Sequence, residues 1–76
     1  MKYIPLNPIT VKQLKPGDKI IRLTNFFSPT VLLEANKIYT FWGHNAIGTS
    51  LYLKEFEFGS WDTDKFAAVK TKLKIG

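Results

Sequence analysis

The stretch Leu14-Lys15-Pro16-Gly17-Asp18-Lys19-Ile20-Ile21-Arg22-Leu23 restricts the fold more than any other part of the chain. Pro16 fixes φ for the first corner of a turn, and Gly17 can take the positive φ that a type II turn needs next. A β-branched, apolar run follows at once, so the turn delivers the chain into a strand. The same grammar returns at Asn36-Lys37 before Ile38-Tyr39-Thr40-Phe41-Trp42, and at Ile47-Gly48 before Thr49-Ser50-Leu51-Tyr52-Leu53. Short strands spaced by turn residues predict a small, strongly bent sheet.

At 76 residues the chain is read as one domain, 1–76, near the lower limit for a self-supporting core. Six phenylalanines, three tyrosines and two tryptophans let it bury apolar area through large rings. There is no cysteine, which removes disulfides and thiolate metal sites and fits a reducing compartment. No apolar run approaches the roughly 20 residues of a membrane span, and residues 1–8 lack a signal peptide's continuous apolar stretch. The expectation is a soluble intracellular protein.

Net charge is +5 at a sequence pI of about 9.6. Three lysines and no acid precede Asp18, and four lysines and no acid follow Asp64. Between them, Glu55, Glu57, Asp62 and Asp64 cluster just ahead of the basic tail. Such an excess favours encounter with nucleic acid, nucleotides or acidic protein surfaces, and it equally serves solubility.

Pro5 and Pro8 make residues 1–9 an extended arm. Thr10-Val11-Lys12-Gln13 has capping-box spacing, and Pro16 limits the helix to one turn, 3₁₀ in character, with Val11 and Leu14 facing the core. The first strand covers about Lys19 to Thr24. Either Ile21 and Leu23 point inward there with Ile20 half-exposed, or a bulge lets Ile20 and Leu23 share a face. Asn25 to Pro29 reads as a loop, and Thr30 to Glu34 as a short edge strand. Ile38 to Trp42 is a strand with Tyr39 and Phe41 on one face and Ile38, Thr40 and Trp42 on the other. Residues 43–48 connect it to a hairpin partner over Thr49 to Glu55.

Phe56-Glu57-Phe58 alternates but ends at Gly59-Ser60. Asp62 can cap one helical turn, Thr63-Asp64-Lys65, which delivers Phe66 to the core. Ala67 to Ile75 is an amphipathic strand, with Val69, Thr71, Leu73 and Ile75 opposite Lys70, Lys72 and Lys74. The pattern predicts an all-β fold: a small, five-stranded, partly open barrel of the SH3-like kind with one or two short helical turns.

Taken together, Lys15-Pro16-Gly17-Asp18-Lys19-Ile20, Asn36-Lys37-Ile38-Tyr39-Thr40, Leu51-Tyr52-Leu53 and Trp61-Asp62-Thr63-Asp64-Lys65-Phe66 carry a resemblance. Over about residues 14–69 the chain resembles small, uncharacterised bacteriophage-encoded proteins with the pattern GDKV-R…GK-YTV…L…WD-x-x-RF. It departs from that pattern with Asn36 in place of glycine and Lys65 in place of arginine; Asn tolerates left-handed φ, so the turn survives. The resemblance implies a phage origin and an SH3-like barrel. It implies no activity and transfers no functional residue.

Catalytic patterns are sparse. His44 is the single histidine, with no acid in its own loop, and no Gly-rich phosphate cradle or Walker-type lysine is present. No enzyme activity, metal or cofactor is expected. Binding patterns are richer. Phe26 and Phe27 are adjacent in a segment stopped by Pro29, so one is exposed or seals the barrel mouth; exposed aromatics are favoured contact anchors. Trp42, His44, Tyr52 and Trp61 form a second group of rings. Near Arg22 and Lys19 they could stack bases while the cations meet phosphate, or Trp61 and Tyr39 could be core with Trp42 as its cap. Lys70, Lys72 and Lys74 form a positive rail if the tail pairs as a strand, and edge lysines also block aggregation.

The expected function is that of a non-enzymatic phage accessory protein in the cytoplasm of the infected bacterium. It would bind a host macromolecule, foremost a protein, to inhibit a defence or redirect host machinery. Two alternatives stand beside it. One is a nucleic-acid-binding module using the lysines and exposed rings; the other is an oligomeric sponge in which Arg22 and lysines of two chains clamp a nucleotide signal.

Overall fold

The computed structural model describes residues 3–69, apart from the side chains of Glu57 and Phe58. Its elements run β1 (Ile4–Pro5), a 3₁₀ turn (Thr10–Gln13), β2 (Lys19–Arg22), β3 (Phe26–Phe27) and β4 (Leu32–Leu33). They continue with β5 (Ile38–His44), β6 (Ser50–Leu53), β7 (Phe56–Asp62), a second 3₁₀ turn (Thr63–Lys65) and β8 (Phe66–Ala68). Six strands make one antiparallel sheet in the order β1-β8-β2-β5-β6-β7, and β3 with β4 makes a separate hairpin. The fold is all-β. After the β5-β6-β7 meander, the second 3₁₀ turn brings β8 back beside β2, which is SH3-like connectivity with β1 added at the edge. No ladder joins β1 to β7 among the described residues, so the barrel stays open.

Turn chemistry sets the central register. Gly17 lies at φ 100°, and the Asp18 amide donates to Lys15 O at 3.0 Å across the turn. That delivers β2 against β5 with Lys19 opposite Thr40 and Ile21 opposite Ile38. Asn36 lies at φ 66°, the left-handed position foreseen for it. Ile20, Tyr39, Phe41, Leu51, Leu53, Phe66 and Ala68 then face one core, covered by Val11, Leu33 and Leu6. Each of the larger side chains adds about 1.5–3 kcal/mol by leaving water.

Several expectations are corrected. Ile20 and Ile21 are both buried, whereas Leu23 is 42% exposed and does not point inward. Strand β2 is flanked by β5 and β8, and the inward position after Ile20 falls to Arg22, only 5% exposed. Leu23 lies beyond the strand, held there by its amide donating to Lys65 O at 2.9 Å. Phe26-Phe27 is a strand rather than loop: Ser28 Oγ accepts from the Val31 amide at 3.0 Å, which places Pro29 in the hairpin turn and not in a ladder.

The first 3₁₀ turn is capped from Asn7, whose Oδ1 accepts the Ile9 and Thr10 amides at 2.8 Å, and not from Thr10. Asp62 precedes the second turn without a side-chain capping bond. Strand β5 continues to His44 and β6 stops at Leu53, because Lys54-Glu55 form the turn into β7. Strand β7 does not end at Gly59-Ser60; Gly59 takes φ 107° and the strand goes on to Asp62. The amphipathic tail strand, with Lys70, Lys72 and Lys74, falls largely outside the described residues; β8 comprises Phe66–Ala68.

Candidate functional site

A cleft of about 320 Å³ opens where the β3–β4 hairpin meets β7. Arg22 at the end of β2, Thr24, Phe26 on β3, Trp61 and Asp62 on β7, and Lys65 in the second 3₁₀ turn line it. Phe26, 38% exposed, meets the Trp61 ring edge-on at 5.7 Å, and Phe56 meets Trp61 from elsewhere at 5.8 Å. Trp61 is thus fixed as a wall of the cleft. Its Nε1 is the one buried side-chain polar atom without a hydrogen-bond partner among the described residues. A buried donor left unpaired costs about 1–3 kcal/mol, so it marks a place where structure alone has not been satisfied.

Arg22 is the other unusual member. Its Nε donates to Thr24 O at 2.7 Å, and its guanidinium carbon sits 4.9 Å from the centre of the Phe66 ring. Burial pulls the guanidinium below its ordinary pKa; the charges of Tyr39, Asp62 and Asp64 act in the opposite direction. Yet among the described residues no carboxylate lies within ion-pair distance of it, and the pair Lys37–Glu34 is the only such bridge. The side chain is held by one edge and one face. Its two Nη groups remain the hydrogen-bonding capacity of a fork whose orientation is already set.

Phe27 alternates with Phe26 and therefore leaves the cleft on the opposite face of the hairpin. It is 73% exposed, and its cross-strand partner Leu32 is exposed beside it. The hairpin is two-faced: Phe26 and buried Leu33 look inward, Phe27 and Leu32 outward.

The remaining candidates lie elsewhere. Trp42 is 51% exposed on the outer face of β5, with Tyr52 and Lys54 around a second hollow and Lys54 Nζ 5.4 Å from its ring centre. Lys19 Nζ donates to Thr40 Oγ1 at 2.8 Å on β5. His44 is not part of a ring platform: its Nδ1 lies 2.6 Å from Asn45 O and its ring stacks on buried Phe41. The structure thus brings Arg22 and Phe26 together, and separates both Trp61 and Arg22 from Trp42 and Tyr52. Lys70, Lys72 and Lys74 lie outside the described residues.

Asp62, Lys65 and Thr24 are not among the sequence candidates, and Trp61 packs against the core with Tyr39, as the alternative to a Trp42–Tyr52–Trp61 ring group has it. The sequence signal that would have found them is Trp61-Asp62 opening a short turn whose last residue is Lys65. Among the described residues no three His, Cys, Asp or Glu side chains converge on a metal position. No helix of the described residues is long and apolar enough to cross a membrane. No protein-family model, curated protein or solved structure matches the chain.

Proposed function

We propose that the protein is a non-enzymatic binding module whose contact element is the β3–β4 hairpin, and that its partner is another protein. The observation that carries this reading is Phe27, a phenylalanine 73% exposed on a two-residue strand, with Leu32 exposed across from it. An apolar pair so placed gains nothing for the core, and buried aromatic anchors dominate protein–protein contacts. The resemblance of residues 14–69 to phage-encoded proteins supports a partner among the macromolecules of an infected bacterium, met in its cytoplasm.

A second reading rests on Trp42. Its half-exposed ring, with Tyr52 and Lys54 beside it and a net charge of +5 over the chain, is what base stacking and phosphate attraction require. Capture from bacterial lysate by the tagged protein, with and without nuclease, separates the two. Under the hairpin reading a protein band survives nuclease and Trp42→Ala but is lost with Phe27→Ser. A band lost to nuclease or to Trp42→Ala, and kept by Phe27→Ser, overturns it in favour of nucleic acid.

A further inference from the structure

Arg22 poses a question that the fold does not answer. Arg22 as a residue is only 5% exposed, and taking a charge out of water costs several kcal/mol unless it is paired. Structural burial of arginine is ordinarily accompanied by a carboxylate in bidentate contact. Here the Nε is committed to a backbone carbonyl and the guanidinium face to Phe66, so the orientation of the fork is set, but no acid among the described residues lies within ion-pair distance of it. Trp61 lines the same cleft, and its Nε1 is a buried donor with no acceptor among the described residues. Lys65 lines the cleft as well.

Donors without acceptors call for an acceptor from outside. Two cations, Arg22 and Lys65, and one acid, Asp62, line the cleft, and Asp64 acts on Arg22 from outside the lining. With these two carboxylates nearby, a monoanion meets less repulsion than a phosphate dianion would. Phe26 and Trp61 supply apolar walls for the carbon stem that carries the charge.

We propose that the cleft between the hairpin and β7 receives a carboxylate side chain, Glu or Asp, of the protein partner, held by the Arg22 fork and Trp61 Nε1 with Lys65 at the rim. This deepens the hairpin reading and rests on it for the identity of the partner as a protein. Phe27 and Leu32 would grip apolar residues on the outer face while the acid enters on the inner one.

Titration of the ¹⁵N-labelled protein with acetyl-Phe-Glu-Phe-amide, its Gln analogue and inorganic phosphate tests the assignment. The Arg22 Nε–H and Trp61 Nε1–H resonances are the reporters. The Glu peptide is expected to shift both saturably, and the Gln peptide to bind at least about tenfold more weakly, as loss of a charge-assisted contact requires. Arg22→Lys keeps the charge but loses the fork and should weaken the Glu peptide by about tenfold or more. Because Arg22 is buried, that variant could fail to fold, so exposed Asp62 supplies an independent arm. Asp62→Asn removes the opposing charge and should tighten the Glu peptide by about two- to fivefold.

Equal responses to Glu and Gln, a stronger response to phosphate, or weaker binding by Asp62→Asn would overturn the carboxylate site. Failure here with capture still dependent on Phe27 removes the cleft assignment alone. Carboxylate selectivity with capture indifferent to Phe27 removes the hairpin reading alone.

Discussion

The junction around Gly48 and the hairpin around Phe27 use the same materials to opposite ends. At the junction the β5–β6 loop is pressed on the N-terminal segment so tightly that a Cβ on Gly48 would lie 2.6 Å from Pro8 O. Thr63 Oγ1 donates to Gly48 O at 2.8 Å, the Thr63 amide donates to Thr49 O at 3.1 Å, and Asn7 caps the turn that packs there. Buried Thr10 and Thr63 both have partners. At the hairpin, large apolar side chains stand in water, and among the described residues Trp61 Nε1 has no acceptor and Arg22 no counter-ion in contact. Close packing with satisfied polar groups is what stability selects. Surplus rings and donors are what recognition uses. The contrast fits a junction built for folding and supports the binding role proposed for the hairpin with its cleft.

The largest effect is expected at the junction. Gly48 sits at φ 79°, where a side chain is strained, and the two nearest atoms, Pro8 O and Cα, are backbone that cannot swing aside. Gly48→Ala should therefore cost on the order of 3 kcal/mol in urea unfolding. A midpoint close to the parent's would break the comparison. Phe26→Ser comes next, at about 1–2 kcal/mol, because it removes an edge-on aromatic contact and partial burial rather than a core ring. Gly17→Val tests conformation alone: φ is 100° but nothing lies within 4 Å of an added Cβ, so a loss of about 1 kcal/mol is expected. If Gly17→Val equals Gly48→Ala, close approach at the junction contributes nothing beyond φ.

The smallest effect concerns acid. Burial works to raise the Glu55 carboxyl, but the Thr40 amide, donating to both its oxygens at 2.9 and 3.1 Å, together with Lys19 holds it below its ordinary pKa. A depressed folded-state pKa contributes stability above the unfolded value and loses it as pH falls through the folded one. The parent should therefore weaken between neutral pH and acid below the ordinary carboxylate range, and Glu55→Gln should flatten part of that slope. Identical pH profiles in the two proteins would remove the role given to this contact.

Much of the frame was legible because short-range rules settled it. Pro16-Gly17, the left-handed Asn36 and the alternation of Tyr39 and Phe41 act over two to four residues, and each is found as read. What escaped depended on partners distant in sequence. Leu23 faces water because Lys65 binds its amide, and Arg22 turns inward because Phe66 lies under it. Neither neighbour can be seen from residues 20–24. The cleft was half legible for the same reason: Arg22 and Phe26 stood out as residue types, but Trp61, Asp62 and Lys65 join them only through the return of β7 and β8 to β2.

Native-state hydrogen exchange measures the division of labour directly. The Val11 and Thr63 amides, bonded at 3.0 and 3.1 Å in the junction, should exchange only with global unfolding. The Ser28 and Ala35 amides, bonded at 2.9 and 2.8 Å in and beside the hairpin, should exchange through local opening at least ~1–2 kcal/mol cheaper. Hairpin amides as protected as Thr63 would show a hairpin built for stability, and would contradict its assignment to binding.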